Sequence, residues 1–207
     1  MDPSGTVLIS ERLRLRPFVM EDAPAVAGLA GAREIARCTT RIPHPYQEEM
    51  AREWISTHAG GWARREHAIF AVSQKDTESL IGAVGLEKIH REFFHAEIGY
   101  WIGVPFWNRG FGTEAVAAVV TYGFSTLDLH RIYARIMSGN RGSAKVLEKC
   151  GFSHEGTMKE HVYKNGKFVD IEIYGILTDE PAPGCNEPGK ESSAGVSMSS
   201  RRELFRS

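Results

Sequence analysis

FWNRGFGTEA, at residues 106–115, is the stretch on which the interpretation of this sequence depends. Gly110 and Gly112 lack a Cβ, so a ligand can approach the backbone closely and a positive φ carries little strain there. The residues that follow favour a helix, whose first N–H groups are unpaired and carry about half a positive charge. Arg109 adds a cation at the edge of the loop. The stretch therefore predicts a binding site for an anion such as a phosphate group.

Two well-known phosphate-binding loops differ from this stretch. The nucleoside-triphosphate loop ends in Gly-Lys-Ser/Thr, a run that the sequence lacks. The dinucleotide fingerprint G-x-G-x-x-A is formally matched by residues 110–115, but residues 105–107 separate it from the preceding strand. The next strand ends in Ser138-Gly139-Asn140 and not in the acidic residue that would bind the ribose. A dinucleotide-dependent oxidoreductase is therefore the weaker alternative, and a tight turn without a ligand is another.

Composition restricts the class of protein. The 207 residues can bury one sizeable core, and 42% hydrophobic with 25% charged residues is ordinary for a globular protein. The formal net charge of -1 gives no basic field for nucleic acid, and no apolar run has the length of a membrane helix. The N-terminus lacks the features of a signal peptide, and three scattered cysteines do not indicate a disulfide framework. We therefore expect a cytoplasmic protein that binds neither nucleic acid nor membrane.

The order of the predicted elements indicates one mixed α and β domain over residues 6–178. Period-two runs predict strands at LRLRPF, AIFAVSQ, LIGAVGLEKIH, AEIGYWIG and RIYARIM, and in both arms of a hairpin around Asn165-Gly166. Helices are predicted at MEDAPAVAGLAG, from near Pro45 through Gly60-Gly61, at residues 113–125 and at SAKVLEKC. Residues 179–207 are rich in Pro, Gly, Ser and charge, which predicts a mobile tail.

Two motifs in this order resemble the GNAT superfamily of acyl-CoA acetyltransferases: GYWIGVPFWNRGFGTEA at residues 99–115 and NRGSAKVLEKCGF at residues 140–152. The closest likeness is to its Rim-type subgroup, the ribosomal-protein N-terminal acetyltransferases, and it covers most of residues 6–178. The resemblance implies an α+β fold with a mixed central sheet of about seven mostly antiparallel strands. That sheet would be splayed at the acetyl-CoA site and flanked by helices.

The resemblance also implies an enzyme, an N-acetyltransferase that moves acetyl from acetyl-CoA to a primary amine by direct attack in a ternary complex. The acceptor would be a protein N-terminus or a small amine. The eight histidines show no metal-binding spacing, so we expect no metal. The oligomeric state, including a homodimer, stays open.

Residue roles follow from the resemblance. The loop and the first helical turn would hold the pyrophosphate, mostly through the backbone, at Asn108, Arg109, Gly110, Phe111, Gly112 and Thr113. Backbone N–H groups of Trp101, Ile102 or Val104 would reach the thioester carbonyl and the pantetheine arm, which Asn140 would also contact. On the residues alone, Asn140 and Ser143 are equally well explained as a cap of the helix that follows.

Acetyl transfer to an amine needs a proton acceptor and a group that stabilises the leaving thiolate. Glu97 is the first choice for the acceptor, with Glu87 as the alternative, and Ser143 would hydrogen-bond the leaving sulfur.

Two positions depart from the superfamily pattern. Trp107 stands where Gln or Arg is usual, and Glu148 stands where many members carry a tyrosine acid, eight residues after Asn140. Without that tyrosine the thiolate must be protonated in another way. The departure also keeps open a non-catalytic alternative, a CoA-binding sensor or interaction module.

Overall fold

The computed structural model describes residues 5–178, which form one mixed sheet of eight strands. The strands are β1 Leu8–Ile9, β2 Leu13–Arg16, β3 Ala68–Gln74, β4 Leu80–His90, β5 His95–Ile102, β6 Arg131–Met137, β7 Ser153–Lys164 and β8 Lys167–Leu177. Their order across the sheet is β1-β2-β3-β4-β5-β6-β8-β7. The predicted α+β class is confirmed, with eight strands where about seven were expected. The tail predicted at residues 179–207 lies outside the described residues.

Within residues 5–178, five α-helices cover the two faces of the sheet. They are α1 Ala23–Ala30, α2 Arg33–Cys38, α3 Glu48–Arg64, α4 Phe111–Ser125 and α5 Arg141–Lys149. Val26 of α1 and Ile55 of α3 pack in one hydrophobic cluster with Trp101 of β5. Val116 of α4 and Leu147 of α5 belong to the cluster on the opposite face. Among the described helices, none is both long and apolar enough to cross a membrane.

The helix predicted from near Pro45 begins at Glu48 and runs unbroken through Gly60-Gly61. Gly61 leaves room for the His67 ring, because a Cβ there would lie 1.9 Å from its Cε1. The short α2 was not predicted from the sequence. The N-cap of this six-residue helix is Ala32, whose side chain cannot accept a hydrogen bond. The usual start signal for a helix is therefore missing from the sequence.

β5 and β6 form the one parallel pair in the described sheet, and they stay together over three residues only. The pairing runs from His95 with Arg131 to Glu97 with Tyr133. Beyond Glu97, β5 continues alongside β4 as far as Ile102, while β6 continues alongside β8 as far as Met137. The two strands therefore separate in the middle of the sheet, which confirms the predicted splay.

Candidate functional site

A cavity of about 550 Å³ opens where β5 and β6 separate. Its walls come from β4, β5 and β6, from α1, α3 and α5, and from the end of α2 with the loop that follows it, residues 38–43. The volume lies within the range of small-molecule sites. Of the predicted site residues, Glu97, Trp101, Asn140 and Ser143 line this cavity. The structure thus brings the two predicted catalytic residues into one chamber.

The predicted anion loop leads directly into α4. Asn108 and Gly110 both have positive φ, at 59° and 81°. The first backbone hydrogen bond of the helix runs from Glu114 N–H to the Gly110 carbonyl, at 3.1 Å. The N–H groups of residues 111–113 precede that bond, so they extend from the positive end of a 15-residue helix. This geometry fits a pyrophosphate group at the start of α4.

Trp107, where the superfamily usually has Gln or Arg, fastens this loop to the end of β5. Its indole Nε1 donates a hydrogen bond of 2.5 Å to the carbonyl of Ile102. Trp101 and Ile102 are the last residues of β5, and Val104 begins the short 3-10 helix that follows. The Trp101 side chain packs in a hydrophobic cluster, so a role for it in donor binding rests on its backbone.

Arg12 contacts the anion loop and the start of α4, a role that the sequence analysis did not predict. Its Nη1 donates to the Arg109 carbonyl at 3.0 Å, and its Nε donates to Glu114 Oε2 at 2.7 Å. Its guanidinium carbon also lies 4.6 Å from the centre of the Phe111 ring. Arg109 stacks on the same ring at 5.0 Å. Two guanidinium groups therefore border the start of α4, one of them from the turn between β1 and β2.

Asn140 is the N-cap of α5, as one of the two sequence interpretations predicted. Its Oδ1 accepts a hydrogen bond from Ser143 N–H at 3.1 Å, and its Nδ2 donates to Ser143 Oγ at 3.0 Å. Because Ser143 Oγ is the acceptor in that bond, its own hydrogen is available to a group in the cavity. The Asn140 Nδ2 also donates to the Cys38 carbonyl at 3.1 Å, so the start of α5 is tied to the end of α2.

Tyr100 fixes Ser143 from the opposite side of the strand gap. Its hydroxyl donates to the Ser143 carbonyl at 3.0 Å. Burial raises the pKa of Tyr100, so the phenol keeps its proton and remains a donor. Glu148, at the position of the usual tyrosine acid, lies exposed on α5.

Glu97 is buried between two cations. Lys88 Nζ lies 2.7 Å from Glu97 Oε2, and Arg135 Nε lies 2.9 Å from Oε1. Burial alone would raise the pKa of this carboxyl, but the hydrogen bonds from Lys88 and Arg135 outweigh it and lower the pKa. Glu97 is therefore a stabilised carboxylate and a weaker proton acceptor than an unpaired one.

Glu87, the alternative proton acceptor, lies directly across from Glu97 on β4. It pairs with one cation, Arg41 Nη1, at 2.7 Å. The Arg41 side chain is 62% exposed, so this pair is more accessible to water than the one at Glu97. Both carboxylates line the cavity, so its geometry leaves both sequence alternatives for the proton acceptor open.

The cations beside these carboxylates were not predicted from the sequence. A signal for Arg135 was available, since RIYARIM alternates Arg131, Tyr133 and Arg135 with buried apolar residues. Lys88 gave no comparable signal. It has a positive φ of 51° at an irregularity in the pairing of β4 with β5, and this geometry is set by the sheet.

Comparison with protein families identifies what this arrangement belongs to. Residues 12–153 match the family described as "Acetyltransferase (GNAT) domain". An uncharacterized N-acetyltransferase of Bacillus subtilis, YoaA, is 33% identical to this chain. The matched region covers 83% of this chain and 96% of YoaA.

Two further relatives have named acceptors. The ribosomal protein uS5-alanine N-acetyltransferase of Escherichia coli is 31% identical, over 66% of this chain and 76% of that protein. The crystal structure of spermidine N-acetyltransferase from Vibrio cholerae, in complex with CoA and spermine, has a TM-score of 0.73 and 26% identity. It covers 83% of this chain and 98% of the other.

Proposed function

This chain belongs to the GNAT acetyltransferase family and is an N-acetyltransferase, and from that premise we propose how its residues divide the work. The start of α4 holds the pyrophosphate of acetyl-CoA, and the thioester lies in the gap between β5 and β6. The acceptor amine enters the cavity from the side of α1 and α3. The single observation that carries this proposal is the gap itself, because it opens a chamber that contains Ser143 and Glu97, and because the chain that leaves the end of β5, one strand of the gap, leads into the anion-binding start of α4.

The donor site is proposed to comprise the backbone of residues 108–113 and the guanidinium groups of Arg109 and Arg12. The pantetheine arm would pair with the backbone of Trp101 or Ile102 at the end of β5, or of Val104 in the 3-10 helix that follows, and with Asn140. In support, the N–H groups of the first turn of α4 and two nearby guanidinium groups give a positively polarised site that suits phosphate oxygens.

The transfer is a direct attack in a ternary complex. The neutral amine nitrogen attacks the thioester carbonyl carbon, the C–S bond breaks, and the amide and the CoA thiolate form. Ser143 donates its hydroxyl hydrogen bond to the departing sulfur, which takes over the stabilising role of the missing tyrosine. The proton lost by the amine passes to Glu97, or through water to Glu87. The acceptor is either a protein N-terminus, as for the uS5 relative, or a small amine, as for the spermidine relative.

The test is thiol release from acetyl-CoA in the presence of a panel of N-terminal peptides and small amines. We expect thiol release with at least one amine, and thermal stabilisation of the protein by CoA but not by NAD. Stabilisation by CoA without thiol release on any acceptor would favour the non-catalytic sensor. No stabilisation by CoA at any concentration would refute the whole assignment.

The same assay tests the part given to Ser143. We expect Ser143→Ala to lower kcat about a hundredfold with little change in the KM for acetyl-CoA, since the hydroxyl acts on the leaving group. Ser138→Ala is a matched control, because that hydroxyl contacts Glu172 and not the cavity. An unchanged kcat for Ser143→Ala would remove the leaving-group role.

A further inference from the structure

The floor of the cavity on the side of α1 and α3 contains two glycines. Gly85 of β4 lies directly across from Gly99 of β5, two residues beyond the paired carboxylates Glu87 and Glu97. Residues two apart on a strand share a face, so the glycines and the carboxylates face the same way. Trp101 follows at the next position of that face. A depression without side chains therefore separates the carboxylates from an aromatic wall.

Packing explains one of these glycines and leaves the other unexplained. A Cβ on Gly85 would lie 2.9 Å from the Ile69 Cα and the same distance from the Ala68 carbonyl oxygen, so β3 excludes a side chain there. A Cβ on Gly99 would meet a single atom within 4 Å, Glu87 Oε1 at 3.8 Å. Gly99 also has no positive φ that would require glycine. Its missing side chain leaves free space inside the cavity.

The walls around that space are apolar and aromatic. They include Val26, Ile42, Tyr46, Met50, Trp54 and Trp101. Trp101 is 8% exposed, and Trp54 packs on the same hydrophobic cluster from α3. An uncharged hydrocarbon group placed here would exchange contact with water for contact with these side chains, which is favourable in proportion to the buried area.

The charges of the cavity do not favour a polycation. Glu97 is already paired with Lys88 and Arg135, and Glu87 is already paired with Arg41. Glu53, the third carboxylate of the lining, lies exposed on α3. A second ammonium group of a bound polyamine would meet Glu53 in an exposed ion pair, which contributes little. A third would have to compete with the cations already present or lie against apolar walls without a partner, which is costly.

We propose that the acceptor of this chain carries its primary amine on an uncharged, apolar group, and that Gly99 forms the floor of the subsite for that group. The amine lies towards the two carboxylates, and its hydrocarbon body extends over Gly99 to Trp101 and Trp54. The inference rests on the proposed acetyl transfer and names the chemistry of its acceptor. A small aliphatic or aromatic amine and a peptide with an apolar first residue share this chemistry.

The experiment compares kcat/KM for phenethylamine, a peptide amide that begins with leucine, glycinamide and spermidine. For the unaltered chain we expect at least one of the two apolar acceptors to exceed spermidine by about tenfold or more. The better of the two apolar acceptors identifies the source of the amine, and either result supports the proposal. A spermidine value equal to or above both apolar acceptors would overturn it.

Substitution of the floor tests the role of Gly99. We expect Gly99→Val to lower kcat/KM for the apolar acceptors about tenfold more than for glycinamide, because the valine fills their space. Gly99→Ala, whose added methyl fits at ordinary contact distance, should change the ratio in the same direction to a smaller extent. Gly156→Val on β7 is the matched control, because a Cβ there meets no atom within 4 Å and the site is outside the cavity.

The outcomes separate this inference from the function on which it rests. If both Gly99 variants lose kcat/KM equally for glycinamide and for the apolar acceptors, the role of Gly99 in the acceptor subsite is refuted, while the acetyl transfer itself is not. Thermal stabilisation by CoA in each variant verifies that it is folded and binds the donor. Failure of the unaltered chain to release thiol with any amine would overturn both the function and the inference.

Discussion

Glu97 shows how a single residue can be placed correctly by sequence and still have its chemistry decided by its neighbours. Its position on β5, at the start of the predicted strand, follows from the local pattern AEIGYWIG. Its pairing with Lys88 and Arg135 does not, because the three residues come from three strands whose register is a property of the sheet. The pairing turns a candidate base into a carboxylate with a lowered pKa.

That environment makes a testable prediction at the residue scale. If Glu97 accepts the amine's proton, Glu97→Gln should lower kcat about a hundredfold, the usual size of a general-base contribution. Burial acts to raise the pKa of Glu97, but the two cations lower it by more. Glu97 is therefore ionised throughout the neutral range. The acidic limb of kcat/KM should therefore follow the pKa of the acceptor amine and shift when the amine is changed.

Glu87→Gln is the control for that variant, since it removes a carboxylate of the same cavity that is paired with one exposed arginine. A larger loss of kcat in Glu87→Gln than in Glu97→Gln would transfer the role of base to Glu87. Thermal unfolding of both variants is needed alongside, because Glu97→Gln leaves two cations around a buried amide.

At the scale of elements, the contact between the β1–β2 turn and the start of α4 prepares the donor site. Glu114, in the first turn of α4, accepts hydrogen bonds from the Arg12 backbone N–H and from Ser10 Oγ, each at 2.7 Å. The Arg12 side chain then covers the same carboxylate. Without that arginine, an anion at the helix start would face the uncompensated charge of Glu114.

We therefore expect Arg12→Ala to raise the KM for acetyl-CoA by about three- to tenfold, the size of a charge effect at a helix start. The free energy of unfolding should fall by no more than about 1 kcal/mol, because the Arg12 side chain is 45% exposed. Arg52→Ala is a matched control on α3, since Arg52 pairs with Glu48 at 48% exposure and is not part of the site. An equal change of KM in both variants would show that Arg12 has no specific role.

Elements were predictable where their signals are local. The β7–β8 hairpin follows from Asn165-Gly166, and the structure gives these residues the two positive φ values, 51° and 80°, that such a turn needs. α4 follows the glycine loop as the sequence predicts. By contrast, the fastening of residues 38–43 by Asn140 and Lys164 joins segments more than 100 residues apart, for which no local pattern exists.

At the scale of the whole molecule, the sheet separates two hydrophobic clusters, and the acceptor cavity adjoins the smaller one. That side also holds a buried histidine. His58 lies 4.5 Å from Trp54 and 5.4 Å from Phe18, measured between ring centres. Neither of its ring nitrogens has a hydrogen-bond partner among the described residues. The acceptor side of the fold therefore depends on an imidazole that must stay neutral.

This arrangement predicts a loss of stability in acid. Burial, with a smaller contribution from His67, lowers the pKa of His58 to about 4, whereas an unfolded histidine has a pKa of about 6.5. The unfolded chain thus binds this proton first, so stability is full above about pH 6.5 and falls as the pH approaches 4. From this group alone, we expect the free energy of unfolding to be about 2 kcal/mol lower at about pH 4.5 than at pH 7.

The measurement is the difference in unfolding free energy between these two pH values, obtained by denaturant titration for each variant. His58→Leu cannot take up the proton, so it should lose about 2 kcal/mol of that difference, whatever its stability at pH 7. His161→Leu on β7, which removes an exposed imidazole, should keep the pH dependence of the unaltered chain. If His58→Leu and the unaltered chain weaken equally in acid, the buried histidine is not the source. Because the Trp54 ring lies against His58 and also lines the cavity, the proton would be placed directly behind the acceptor wall.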